Sequence, residues 1–224
     1  MRLPPRPRLA AHRRAYSLIE LLAVMAIISA LAGLTVGSLS PVKANALTAG
    51  GNQTADLLTA ARQNSLARHA FTAVIIKSTG EARYSAFCLL ELTRNDDGAF
   101  SEWKMTAPWR VLPEGIRFDP RAVPEPGPAN FVDTSTRPST PLPLPASIQF
   151  RGSAVALNSD AAYQIFAPDG TLTKGDPVRL RLVEAGEDTG SGLIYTGQQS
   201  SGQPANYYDI VVIGETGQPK VERL

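Results

Sequence analysis

A single cysteine, Cys88, stands among 224 residues, which excludes an intramolecular disulfide. A core of the size expected here needs no such staple, and in the apolar run Ala86-Phe87-Cys88-Leu89-Leu90 the residue reads as a small buried hydrophobe. Histidine is nearly as scarce. His12 falls in a basic N-terminal stretch and leaves His69 as the one imidazole further along, so a His-rich zinc site and a Ser-His-Asp triad are both disfavoured. His69 stands where a helix is expected to end, a place for a surface or C-terminal capping role. Acidic residues are missing from the first 19 positions, which hold Arg2, Arg6, Arg8, His12, Arg13 and Arg14. The formal net charge of +2 owes everything to this stretch: without its five arginines, 17 basic residues face 20 acidic ones. A mildly acidic domain gives no electrostatic reason to expect nucleic acid as a partner.

The basic stretch leads into Ala15-Tyr16-Ser17-Leu18-Ile19-Glu20 and then an uncharged, mainly apolar run over 21–39. About 19 residues make roughly 30 Å of helix, enough to cross the apolar core of a bilayer. A basic flank is retained in the cytoplasm, so the N-terminus is expected inside and the rest exported. Glu20 is the anomaly. A carboxylate in hydrocarbon costs at least a few kcal/mol and calls for a partner. Two plainer readings compete. An ordinary secretory signal could be cut at Ala44-Asn45-Ala46, but its apolar core would exceed the usual ~7 to 15 residues and Glu20 would have no purpose. A simple anchor could hold Glu20 at the interface, its head reaching water. Gly33-x-x-x-Gly37 reads as packing room in a helix bundle.

The order of basic leader, small residue, aromatic residue, glutamate and apolar helix resembles the class III signal of type IV pilins and type II secretion pseudopilins. The resemblance implies cleavage by a prepilin peptidase after Ala15, where the family usually has glycine. Tyr16 then becomes the mature, N-methylated first residue. It also implies the missing partner: the new α-amino group of a neighbouring subunit pairs with Glu20 and offsets the burial of either charge.

Further along, Pro41 and Gly50-Gly51 are expected to interrupt the helix. A new amphipathic helix is expected from Gln53, with Leu57, Leu58, Ala61, Ser65 and Leu66 on its apolar stripe. Beyond Phe71 short strand-like runs alternate with turn clusters. They fall at 72–77, 83–93, 100–105, 110–112, 116–118, 147–150, 162–166, 178–183, 207–213 and 220–223. In Val178-Arg179-Leu180-Arg181-Leu182 the alternation places the arginines toward water. Eight prolines between 119 and 146 predict a long exposed loop with polyproline-like stretches, the most mobile part of the head, or else a docking element. Polar loops are expected at 186–192 and 198–206. The organisation is thus a basic leader at 1–15, a transmembrane helix at 16–42, an amphipathic helix at 43–70 and a β-rich head at 71–224 carrying the Pro-rich loop 119–146. The fold class is α+β, an N-terminal helix followed by an antiparallel β-sandwich head.

Ala60-Ala61-Arg62-Gln63-Asn64-Ser65, followed by Thr72-Ala73-Val74-Ile75-Ile76, resembles the helix-to-strand junction of the GspH/FimT minor pseudopilins. The turns Leu112-Pro113-Glu114-Gly115-Ile116-Arg117-Phe118 and Phe166-Ala167-Pro168-Asp169-Gly170-Thr171 resemble further motifs of that family, as does the ending Ile210-Val211-Val212-Ile213-Gly214-Glu215-Thr216-Gly217. The Verru_Chthon cassette protein D group, encoded in cassettes, is similar too. The proline-rich insertion and the absence of a basic C-terminal tail are departures of this chain from the family. The resemblance implies a minor pilin-like subunit whose partners are a prepilin peptidase, other pilin-like subunits, an inner-membrane assembly platform and the membrane. The alternative is a membrane-anchored module that binds an exported substrate or surface ligand. No cofactor or metal and no enzymatic activity are expected. The best catalytic pair, Asp96 with Asp97, precedes Gly98 in what reads as a hairpin turn.

Intact-mass analysis of membrane-extracted protein should find a chain beginning at Tyr16 and carrying a methyl group. A chain beginning at Leu47 would instead assign the cut to signal peptidase.

Overall fold

The computed structural model describes residues 18–121, 128–132, 141–187, 192–199 and 202–222, with the side chains of 32–44 left out of the description. It has two compact units, Met1–Val42 and Lys43–Leu224. The helix α1, Leu18–Arg68, contributes to both. Helical geometry continues through Pro41, Gly50 and Gly51, in place of the two separate helices expected. In the second unit the reason is packing. A Cβ on Gly51 would lie 2.4–2.6 Å from the Tyr208 ring, and one on Gly50 would lie 3.3 Å from Ile116. The glycines let the helix approach its neighbours closely, and the burial gained offsets their poor helix propensity. The helix ends where Ala70 N donates to Ser65 O and His69 turns left-handed at φ 48°. His69 is exposed, and its carbonyl accepts from Arg94.

The strands after α1 form two main sheets. In the first, β1 (Thr72–Lys77) lies between β2 (Ala86–Arg94) and β8 (Ala161–Phe166), and β3 (Phe100–Val111) pairs with the outer side of β2. All these pairings are antiparallel. Every residue of β1 is buried, so both of its faces are covered. The expected runs 100–105 and 110–112 are one strand, since Pro108 sits on an edge strand, where a missing N–H costs no ladder bond.

The second sheet is organised around β9 (Val178–Glu187). One side of it pairs with β11 (Tyr207–Val212), which in turn pairs with β12 (Pro219–Glu222). The other side takes β5 (Ala129–Asn130) in parallel and then β4 (Ile116–Phe118) antiparallel, and the end of β9 also pairs antiparallel with β10 (Leu193–Tyr195). The main core lies between Leu57, Leu58 and Ala61 of the helix, Val74, Ile76, Phe87, Leu89 and Phe166 of the first sheet, and Leu180, Leu182, Ile210 and Val212 of the second. A hairpin of β6 (Ser147–Phe150) and β7 (Ser153–Ala156) builds another core on the opposite face of the first sheet. There Phe150, Val155 and Leu157 pack with Ala73, Ile75, Cys88, Leu90 and Ile165.

The proline-rich segment departs from the expected exposed loop at 130–132, which are buried, while Pro141, Pro143 and Ala146 are exposed as expected. Phe131 is completely buried in the main core, its N–H bonded to Arg179 O at 2.8 Å. Leu142 O accepts from Trp103 Nε1 at 3.2 Å, and Leu144 packs into the second core. Proline removes donors but leaves carbonyls and side chains free, and a few well-placed apolar groups are enough to fasten the chain. The residues at 122–127 and 133–140 lie outside the described residues.

Gly51→Ala should destabilise the protein by about 1–3 kcal/mol despite alanine's better helix propensity, because the added methyl meets the buried Tyr208 ring. Thermal denaturation of wild type and variant measures this directly.

Candidate functional site

Of the residues singled out in the signal segment, Ala15 and Tyr16 lie outside the described residues. Glu20 occupies the first turn of α1, where the positive end of the helix dipole favours a carboxylate, and it is exposed. Leu18, Ile19, Leu21, Leu22, Val24, Met25, Ile27, Ile28 and Leu31 are arranged around all faces of the helix, each more than half exposed. A helix apolar on every side has no solvated face and needs a non-aqueous surrounding, whether lipid or other helices. Within 21–31 the one polar side chain is Ser29, whose Oγ bonds back to Met25 O at 2.8 Å and so presents no unsatisfied donor. Among the described residues no helix is long and apolar enough to cross a membrane. The described side chains of this run span 18–31, about 21 Å of helix, and the expected spanning segment 16–42 continues beyond them at both ends.

The second unit separates the remaining candidates. Asp96 and Asp97 are exposed on the turn between β2 and β3, which closes through Gly98 N to Asn95 O at 2.9 Å with Gly98 at φ 77°. Cys88 is fully buried, and loss of solvent pushes its thiol pKa far up, which leaves it inert. Among the described residues no three His, Cys, Asp or Glu side chains gather as a metal site. Asp169 is more telling. Its carboxylate accepts from Thr171 N and Thr171 Oγ1, at 3.0 and 2.7 Å, and these bonds lower its pKa below the usual carboxylate value. The turn they hold sets Gly170 against Leu66 of the helix, with Gly217 close to Gly170 O.

Two buried polar groups escaped the sequence. The expectation that Arg181 faces water is overturned: it lies on the outer face of β9, as alternation requires, yet only 7% of it is exposed. Asp209 stands directly opposite on β11 and accepts from Arg181 Nε at 2.8 Å and Nη2 at 2.7 Å. Tyr207 stacks beneath the guanidinium, 4.0 Å from it. Burial alone would lower the Arg181 pKa, but the bonds and charge of Asp209 outweigh it and the net direction is upward. Nearby, Asp119 Oδ1 accepts from Tyr195 Oη at 2.8 Å and from Arg121 N at 3.0 Å. Desolvation first, then this carboxylate, push the Tyr195 phenol pKa up. Arg121 lies over the Tyr195 ring at 3.8 Å. A charge and its complement 28 residues later leave no mark in local sequence. Both clusters join strands and loops; neither offers an open reacting centre.

Residues 11–36 match the prokaryotic N-terminal methylation motif. No curated protein matches the sequence. Among solved structures, the chain is similar to the type IV minor pilin FimU of Pseudomonas aeruginosa, at 9% identity over 80% of this chain and 90% of that one, with a TM-score of 0.41. The minor pseudopilin EpsH of the Vibrio cholerae type 2 secretion system is similar at 12% identity over 79% and 96%, with a TM-score of 0.40. A second structure of EpsH gives 12% identity over 80% and 94%, with a TM-score of 0.38.

Arg181→Met should cost about 3–5 kcal/mol by leaving Asp209 buried with a weaker partner, Arg179 at 3.8 Å. Arg181→Met combined with Asp209→Leu should recover most of the loss. Urea unfolding of the two variants distinguishes a lost ion pair from lost packing.

Proposed function

We propose that the chain is a minor pilin-like subunit of a type II secretion or type IV pilus-like filament, inserted by its N-terminal helix after processing by a prepilin peptidase. The observation that carries this reading is the methylation motif at 11–36 laid over a helix with Glu20 in its first turn and exposed apolar side chains all round. The peptidase removes 1–15 by cutting after Ala15, and Tyr16 becomes the methylated terminus. The segment 16–42 sits in the inner membrane with the N-terminus cytoplasmic and the head outside. When the subunit leaves the bilayer for a filament, Glu20 meets the Tyr16 amine of a neighbour. Each charge then supplies what the other needs for burial, and the pairing selects one axial register. An assembly platform in the inner membrane would drive this transfer. The role is structural, with assembly as its chemistry. A binding role for the head is a second reading, favoured by a cleft beside β7.

The test is Glu20→Val in the native host. The variant should insert and be processed, since the change makes the segment more apolar. Its recovery with sheared or cross-linked filaments should fall about tenfold or more, the equivalent of about 1.4 kcal/mol or more. Recovery equal to wild type would defeat the pairing argument.

A further inference from the structure

The hairpin of β6 and β7 has two outer edges, and they are used differently. Leu157 N donates to Ala146 O at 3.0 Å, so 146 and 157 form a hydrogen-bonded pair. Antiparallel alternation makes Ile148 with Val155, and Phe150 with Ser153, the next such pairs. Gln149 and Ala154, opposite each other between them, therefore direct their N–H and C=O groups outward. On the β6 edge Gln149 O accepts from Trp109 Nε1 at 2.7 Å, as this alternation requires. On the β7 edge no backbone group among the described residues bonds to Ala154.

Ala154 lines a cleft of about 300 Å³, at the lower end of the range for ligand pockets. Lys77, Thr79, Gly80, Phe150, Ser153 and Asp160 contribute to the same lining. The cleft's charges largely serve its own walls. Lys77 Nζ donates to the carbonyls of Thr79 and Glu81, and Glu81 Oε1 pairs with Arg151 at 2.7 Å. Small residues at Gly80, Ser153 and Ala154 leave room beside the strand edge, and Phe150 and Val155 add apolar surface. The walls are preset. Gly80, Ala82, Arg151 and Gly152 all hold positive φ, at 61°, 57°, 48° and 84°, so tight turns fix both the 77–82 segment and the hairpin end.

We propose that this cleft binds a short, uncharged, extended peptide segment of another protein, which adds as a strand beside β7 and bonds to the N–H and C=O of Ala154. An outward donor and acceptor on one residue, spaced as a strand presents them, are what β-augmentation uses. Engaged charges and small side chains favour a neutral segment over an acidic or basic one. The inference stands on the head alone, and its failure would leave the filament reading untouched.

The experiment uses the full chain in detergent, isotopically labelled, with acetylated and amidated pentapeptides: Ser-Val-Ser-Val-Ser and counterparts carrying Lys or Glu in place of Val. The neutral peptide should bind and slow exchange of the Ala154 amide about tenfold or more, with weaker effects from the charged ones. Ala154→Pro removes only the outward donor and keeps the hairpin's own bonds, so it should weaken binding about tenfold with little change in melting. Ala154→Ser keeps both the donor and a small side chain and should bind as wild type does, which covers the case in which the proline variant fails to fold. The proposal is overturned if no peptide protects the Ala154 amide, or if the folded proline variant binds equally well. It is overturned too if glucose shifts the cleft resonances while no peptide does, which would make this a polyol site.

Discussion

Complete burial of β1 is the constraint on which the second unit depends. A strand with no solvated face must be covered twice, and Thr72–Lys77 is covered by the main core on one side and by the β6–β7 hairpin on the other. The alternation of side chains divides its residues between the two tasks, Val74 and Ile76 to one core, Ala73 and Ile75 to the other. Each elaboration has a place in this scheme. The amphipathic part of the helix and the second sheet close the main core. The hairpin, with Leu144 beside it, closes the other, which is also why Cys88 is sealed away.

Segments poor in apolar side chains are held by polar bonds made in the shelter of this packing. Asn130 illustrates the arrangement: its Nδ2 donates to Asp119 O and Arg121 O, while its Oδ1 accepts from Val132 N. Together with Phe131 in the core, it ties a proline-rich stretch to β9. Asp119, Arg121 and Tyr195 fasten the same region to β10. Such bonds contribute modest net stability but are costly to break once water is excluded. They specify where the chain lies more than they hold it folded.

The strands are legible where alternation or an apolar run coincides with turn residues. Expected 72–77, 116–118 and 147–150 coincide with β1, β4 and β6, and 162–166 differs from β8 by one residue. The short β5, β7 and β10 are not, because two to four residues such as Ala129–Asn130 carry no period and exist only through β9 or β6. Gly50 and Gly51 signal a break by propensity, and tertiary contact with Ile116 and Tyr208 overrides it. In the signal segment the exposed apolar helix and Glu20 in its first turn are readable directly, since charge and hydropathy along one helix are local properties.

Local order was therefore determined by the sequence itself: the basic N-terminal stretch, the lone carboxylate before an apolar helix, the α+β class and most strand positions. Each comes from the period of side chains along one element or from charges a few residues apart. Tertiary structure alone decided that Arg181 faces Asp209 rather than water, that Phe131 enters the core from a proline-rich segment, and that one edge of β7 borders a cleft. These depend on which distant strands pair and in what register, and a pairing across tens of residues leaves no periodic trace in the chain that makes it.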